Sequence, residues 1–299
     1  MNLLSRIIYL LEENYYIVYA VLVAIFIYLT LFHKKVRNVN NEPRRPEAPL
    51  KIEKSAGNKW ERDPEDDEDP EMLMPAIPED TPHIPYKPIR RPDEEIVQRS
   101  KDYYELMARR RTVRMFSSEP IPQEVLDNIV RVAGTAPSGA HTEPWTYVVV
   151  KDAATKAAIR EIVEEEEDIN YSKRMSRQWV TDLKPFATRS VKPYLTEAPA
   201  LILVFRQTHS IRPDGKKRMH YYSELSLAIS AGFVLAAIHY CGLVALTSTP
   251  LNCHARLRSL LSRPGNEKLE LLFPVGRPHE NATVPDLARK PLDEIYVQF

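Results

Sequence analysis

The chain has 299 residues, room for one large domain or two ordinary ones, and its 41 Lys and Arg balance 41 Asp and Glu. That balance, with no basic stripe interleaved with aromatics, argues against a nucleic-acid partner. Two cysteines, Cys241 and Cys253, supply neither a disulfide framework nor a structural zinc site, and they read as small apolar residues of a reduced compartment.

Residues 1–14 form a short N-terminal segment. The run "YYIVYAVLVAIFIYLTLF", Tyr15–Phe32, carries no charge. At about 1.5 Å per residue it nearly spans a ~30 Å hydrocarbon core. Tyr15, Tyr16, Tyr19 and Tyr28 cluster toward its ends, as in an interfacial belt. A cleaved signal peptide fits poorly, because "HKKVR" follows rather than a small-x-small cleavage site. Upstream, Arg6 is offset by Glu12 and Glu13, so Lys34, Lys35 and Arg37 predict a single-pass membrane anchor, N-out and C-in, with the folded domain in the cytosol. Residues 33–92 are rich in proline and include "ERDPEDDEDPE". Such a segment buries too little apolar surface to offset its ordering entropy and reads as a disordered tether.

The folded domain is expected over 93–299. Asp93 caps a helix in "EEIVQRSKDYYELMARRR", with Ile96, Ser100, Tyr103 and Met107 on one face. "IPQEVLDNIVRVAGTA" predicts a second helix, with Val125, Ile129 and Val132 inward. After the loop "APSGAHTEPW", the run "WTYVVV" reads as a strand. "AATKAAIREIVEEEEDINYSKRMSRQW" predicts a long charged helix broken near Asn170. "ALILVFR" is a fully buried strand, and "YYSELSLAISAGFVLAAIHYCG" a central core helix rather than a second membrane span, since it holds Glu224 and His239. "LVALT" is a strand, "HARLRSLLS" a short helix and "LELLFPVG" a last strand. This alternation predicts an α/β or α+β domain with a covered sheet. The tail "RKPLDEIYVQF" is either an intersubunit arm or an edge strand of its own sheet.

Common chemical motifs are missing. There is no G-x-G-x-x-G, no P-loop and no G-x-S-x-G, which argues against Rossmann and P-loop nucleotide sites and against a hydrolase elbow. The eight His show no metal-binding spacing, so no metal is expected. What remains is "RRRTVRMF", residues 109–116. Three Arg at a helix end suit the dipole, but Arg110, Arg111 and Arg114 can also converge on one anion, since Arg binds phosphate bidentately.

"RRRTVRMF", "APSGAHTEPWTYVVV", "GLVALTSTPLN" and "LLFPVGRP" together resemble the nitroreductase-type flavoproteins. The likeness is closer still to the iodotyrosine deiodinase family, through "EEEEDINY" and "RQWVTDLK" and, in kind, the N-terminal anchor and acidic linker. The resemblance implies an α+β fold, with a central, mostly antiparallel sheet covered by helices, in a domain-swapped homodimer. It implies bound FMN, with Arg110, Arg111, Thr112, Val113 and Arg114 as an FMN-binding run, Thr247, Ser248 and Thr249 as a second, and Arg289 on the phosphate. Ser138 and Gly139 match flavin contacts donated by the partner subunit, and Ala140 matches the residue whose backbone N–H holds the substrate phenolate. Thr249 matches the hydroxyl that hydrogen-bonds flavin N5 and favours one-electron steps. Glu167, Tyr171 and Lys192 match the family's clamp on a zwitterionic halogenated tyrosine.

On spacing alone, Glu167 and Tyr171 are an i, i+4 surface pair in an acidic stretch. The family assignment makes the segment between them and Lys192 a lid that orders over bound amino acid. The implied reaction is FMN-dependent reductive removal of iodide from mono- and diiodotyrosine. Electrons come ultimately from NADPH, through a partner reductase because this chain lacks a dinucleotide fingerprint. Rival readings are a general NAD(P)H nitro or quinone reductase of the same fold, and a non-catalytic, membrane-tethered flavin- or ligand-binding protein. His141 reads as a structural hydrogen-bonding residue, with Gly139 sparing a Cβ where the loop meets a ring. The N-out, C-in orientation also leaves the sequon Asn281-Ala282-Thr283 unmodified. Protein isolated from eukaryotic cells should therefore show no mobility change on endoglycosidase treatment, and a change mapped to Asn281 would reverse the orientation.

Overall fold

Alternate residues of the strand Ala200–Gln207 feed two different cores. Leu201, Leu203 and Phe205 pack to one side, and Ala200, Ile202 and Val204 to the other. A strand's side chains alternate with a period of two, so a continuous apolar run buries both faces only where both are covered. The computed structural model describes Tyr28, residues 75–213 and residues 215–299. The chain divides into units Met1–Asp66 and Asp67–Phe299. In the first, only the exposed, helical Tyr28 is described. The expected anchor at 15–32, Tyr28 apart, and the tether up to residue 74 lie outside the described residues.

In chain order the described elements are α1 (Asp93–Ala108), α2 (Gln123–Gly134), β1 (Trp145–Val150), α3 (Ala153–Ile169), α4 (Arg177–Leu183), α5 (Tyr194–Glu197), β2 (Ala200–Gln207), β3 (His209–Ile211), β4 (Lys217–Met219), α6 (Ser223–Tyr240), β5 (Val244–Ala245), α7 (His254–Leu260), β6 (Glu267–Gly276) and α8 (Leu292–Ile295). The main sheet runs β1-β2-β6-β5, and every named pairing in it is antiparallel. The hairpin β3–β4 stands apart. On one side of the sheet α3, α5 and α7 contribute Ile159, Val163, Leu195 and Leu257. On the other, α2 and α6 contribute Leu126, Ile129, Ala133, Leu227, Ala231 and Val234. A register shift at Val204/Phe205 lets Leu269 and Leu272 share a face although their spacing is odd.

Several expectations are corrected. In α2 the inward face is Leu126, Ile129 and Ala133, while Val125 is half-buried and Val132 is 40% exposed. In α1, Ile96 and Tyr103 are over half exposed, because none of the described residues covers that face. Asp93 begins α1, but the cap position is Pro92, with no side-chain cap. The α6 helix is not buried all round. Ser226, Leu227, Ser230, Ala231, Val234 and Ile238 face the sheet, while Leu225, Ile229 and Phe233 are exposed. It is long and apolar enough to cross a membrane, the single such helix among the described residues, yet Ser230 and Tyr147 share a 2.6 Å hydrogen bond that ties it to the sheet. Ser230 also donates to the Ala133 carbonyl, closing a buried contact among β1, α2 and α6. The predicted strand over "LVALT" shrinks to Val244–Ala245. The C-terminal tail forms the short helix α8 and otherwise pairs with no strand, so the edge-strand alternative is not realised. The break near Asn170 is found as expected. Asn170–Arg174 form a π-helical turn, closed by Met175 N–H on the Asn170 carbonyl at 2.8 Å.

At the start of β6, Glu267 is 3% exposed and accepts two bonds from Arg263, at 2.7 and 2.8 Å, and one from Thr146 at 2.7 Å. Burial pushes its pKa up, but the Arg263 and Thr146 bonds outweigh burial and hold it below the ordinary carboxylate value. A depressed folded-state pKa stabilises the fold above the unfolded pKa, and that contribution is lost as pH falls through the folded one. Urea midpoints measured from pH 7 to pH 3 should therefore fall on acidification. In Glu267→Gln the midpoint should be lower at pH 7 and the acid-limb slope shallower.

Candidate active site

The edge of the sheet at β5 is where "RRRTVRMF" attaches. Thr112 makes a parallel bridge to Ala245, and Val113 N–H donates to the Ala245 carbonyl at 3.2 Å. Ser248 continues from β5 as an isolated bridge to Leu272, with 2.9 Å bonds in both directions. The two expected cofactor runs, 110–114 and 247–249, thus lie side by side although far apart in sequence.

Two adjoining clefts open there, both lined by Arg114. One, about 460 Å³, is lined by Arg110, Arg111, Thr112, Arg114 and Arg289, with Pro285 and Phe186. Arg289 Nη2 donates to the Arg110 carbonyl at 2.9 Å, and Arg111 donates to the Pro285 carbonyl. Burial first, then the positive charges of Arg289 and Arg111, lower the pKa of Arg110. Like charges this close are tolerated where an anion completes the site, and no acidic side chain lines this cleft. The donor set fits a phosphate-bearing ligand. Val113 itself is buried and lines neither cleft.

The second cleft, about 170 Å³, is lined by Arg114, Glu167, Tyr171, Lys192, Tyr194, Thr247, Ser248 and Thr249. Met175, Trp179, Leu183 and Thr188, from the segment between Tyr171 and Lys192, form one wall. Glu167 and Tyr171 are not a surface pair. Lys192 Nζ lies 2.9 Å from Glu167 Oε2, with side chains 7% and 13% exposed, and 5.2 Å from the Tyr171 ring centre. Thr188 Oγ1 accepts from Lys192 Nζ at 3.3 Å. Asn170 Nδ2 donates to the other Glu167 oxygen at 3.3 Å, so the π-helical turn sets the rotation of this carboxylate. Burial first, then the negative Glu167, push the Tyr194 phenol well above its usual range, so it stays neutral. Beneath the cleft, burial pushes the Cys253 thiol up to about 12, with Glu166 and Glu167 adding to the shift, and its Sγ lies 3.3 Å from the Leu251 carbonyl.

Ser138, Gly139 and Ala140 line neither cleft of this chain. Within this chain Gly139 is required by a close approach to the start of α6. A Cβ there would sit 2.7 Å from the Tyr221 carbonyl oxygen and 3.5 Å from the Tyr222 ring. Its N–H donates to Ser226 Oγ at 3.3 Å, which docks the loop on the start of α6. Ala140, His141 and Glu143 all have left-handed backbones, at φ 49, 52 and 45. Each such non-glycine residue costs about 1–2 kcal/mol, and strain of this kind gathers where backbone groups must be aimed. Ser138 holds the turn, its carbonyl accepting from His141 N–H and its hydroxyl from Glu143 N–H. His141, expected to be structural, is instead exposed, with Nε2 3.6 Å from Glu143.

Sequence reasoning missed Trp179, Met175, Leu183, Tyr194 and Phe186. A signal existed for the first three: Met175, Trp179 and Leu183 recur every four residues in an otherwise charged segment. Tyr194 and Phe186 gave none, because only folding brings them to the cleft.

The nitroreductase family model matches residues 107–277. An iodotyrosine deiodinase of Hydra vulgaris is 59% identical over 216 residues, covering 72% of this chain and 79% of its own. Iodotyrosine deiodinase 1 of Mus musculus is 50% identical over 279 residues, covering 93% of this chain and 97% of its own. The crystal structure of an oxidised iodotyrosine deiodinase bound to FMN and 3-iodo-L-tyrosine superposes with a TM-score of 0.57 at 30% identity, over 66% of this chain and 98% of that one. The chain belongs to the nitroreductase family and, within it, to the iodotyrosine deiodinases.

Proposed function

We propose that this chain is an FMN-dependent iodotyrosine deiodinase, which reductively removes iodide from mono- and diiodotyrosine and leaves tyrosine. One observation carries the substrate side. Beside an arginine-lined cleft lies a buried clamp of opposite charges, Glu167 and Lys192, with the Tyr171 ring against the ammonium. A free amino acid is a zwitterion. Glu167 takes its ammonium, and Lys192 Nζ with the Tyr171 hydroxyl takes its carboxylate. A quinone or nitroarene has no such groups, which disfavours a general reductase. Trp179, Met175 and Leu183 supply the apolar wall that keeps water from the ring.

Arg110, Arg111 and Arg289 hold the FMN phosphate, with Thr112 and Thr247 as neighbouring hydroxyl donors. FMN, when bound, supplies the electrons that expel halide. Arg114 lines both clefts, so its cation faces the developing negative charge from either side. Thr249 would supply a hydroxyl proton for flavin N5, and its neighbour Ser248 shares a side-chain hydrogen bond with Tyr194.

Ser138, Gly139 and Ala140 act in the cleft of a second copy, where the left-handed Ala140 directs its N–H to the substrate phenolate. The exposed apolar faces of α1 and α6 and the C-terminal tail, with Tyr296, Val297 and Phe299, are the surfaces that a second copy covers. The N-terminal run anchors the dimer in a membrane with the catalytic domain in the cytosol, and a reductase drawing on NADPH supplies electrons.

Dithionite-reduced holoprotein should release iodide from diiodotyrosine, and the visible flavin band should shift when 3-iodo-L-tyrosine is added to the oxidised form. No iodide and an unresponsive band would sink this reading in favour of a general reductase or a binding protein. Thr249→Ala should cut deiodination at least tenfold while raising two-electron nitroarene reduction. Full deiodination in that variant would remove Thr249 from the mechanism.

A further inference from the structure

Four polar side chains on one face of α3 reach the same short stretch, 192–198. Lys156 Nζ donates to the Thr196 and Ala198 carbonyls at 3.1 and 2.7 Å. Arg160 Nη1 donates to Thr196 Oγ1 at 2.9 Å. Glu164 Oε1 accepts the backbone N–H of Lys192 at 2.5 Å, and Glu167 Oε2 pairs with Lys192 Nζ at 2.9 Å. Positions 156, 160, 164 and 167 follow the spacing of one helical face. Lys192 is therefore held from α3 at two points, at its backbone by Glu164 and at its head group by Glu167, with Thr188 and the Tyr171 ring also at the head group. Glu164 is itself fixed by Arg160 Nε at 2.7 Å.

These two holds behave differently when an amino acid enters. The ammonium of the ligand and Lys192 Nζ compete for Glu167, so the head-group contact changes partner. The Glu164 contact does not change, because it ends on a backbone N–H. Without it, the Lys192 backbone would keep only the bond its carbonyl accepts from Leu195 N–H at 3.1 Å, and a four-carbon stem would leave Nζ a wide range of positions.

We propose that Glu164 is a positioning residue for substrate recognition. By holding the Lys192 N–H it keeps Lys192 Nζ within reach of the ligand carboxylate while Glu167 turns to the ammonium. This inference rests on the proposed amino-acid substrate.

The test compares wild-type holoprotein with Glu164→Ala and Glu164→Gln on 3-iodo-L-tyrosine and on an iodophenol, which lacks both ammonium and carboxylate. The Gln amide oxygen still accepts the Lys192 N–H and Arg160 Nε, Ala accepts neither, and both variants lose the charge opposite Arg160, so their difference reports the hydrogen bonds rather than the charge. Glu164→Ala should raise KM for iodotyrosine about tenfold, leaving kcat within about twofold and iodophenol turnover unchanged. Glu164→Gln should stay close to wild type. An unchanged KM in Glu164→Ala, equal losses on both substrates, or a Gln variant as impaired as Ala would each overturn the assignment. If Glu164→Ala does not fold, hydrogen exchange on the wild-type protein decides. The Lys192 amide should be protected without ligand while the amides of 187–191 exchange faster, and equal exchange would refute the anchor. If wild type fails to turn over iodotyrosine, the functional reading falls, whereas the exchange measurement still judges the anchor.

Discussion

Burying β2 on both faces is the constraint from which the site's position follows. Its eight residues are apolar up to Arg206, with no water-facing side until that point. Helices must then cover both sides of the sheet, and neither face retains room for a ligand. What stays open is the edge. There β5 is cut to two residues, and the extended stretch after α1 pairs with it through Thr112 and Val113. Arginines enter along one chain segment and hydroxyls along the other. The chemistry collects at the rim because the centre is filled.

Charge placement at that rim follows a second rule. A buried ion pair is costly to form and more costly to break, about 3–5 kcal/mol when one partner is removed. Lys192 and Glu167 are nearly dry, yet Asn170 and Thr188 hold the polar atoms that the pair leaves over. On the proposed reading the pair stands in for the charges of an amino acid, and the protein keeps the cleft polar without trapping an unmatched charge. Trp179 and Met175, on the segment above, are the apolar counterpart.

How much of this was legible in the sequence depends on the range of the interactions. Strands β1, β2 and β6 were plain, because apolar runs bounded by turns survive any tertiary context. The break at Asn170 was visible as a change from a charged helix to a mixed segment. The face of α2 was misread because Val125 and Val132 outrank Ala133 in hydrophobicity, whereas the close approach of α6 demands the small residue. The faces of α1 and α6 were misread because apolar periodicity marks a face as coverable without saying that anything covers it: Ile96, Tyr103, Leu225 and Ile229 are exposed. At the site, Arg110, Arg111, Arg114, Thr247, Ser248 and Thr249 gather as their motifs implied, and Glu167, Tyr171 and Lys192 converge. Tyr194 and Phe186 required the fold, since nothing near them in sequence marks a cleft. Val113 has a backbone part, its N–H securing the strand edge while its side chain fills the core.

The two cysteine thiols of the chain end up chemically unlike. Cys253 lies beneath the substrate cleft, fully buried, with a thiol pushed up to about 12 by burial and two nearby carboxylates. Near neutral pH it therefore stays protonated, and the thiolate is the form that oxidants and alkylating agents attack. A thiol this close to a site that handles electrons and carbon–halogen bonds would otherwise be a nucleophile competing for the halogenated ring. Cys241, just past the end of α6, is exposed to solvent. Thiol oxidation of this protein should therefore begin at Cys241 and spare Cys253.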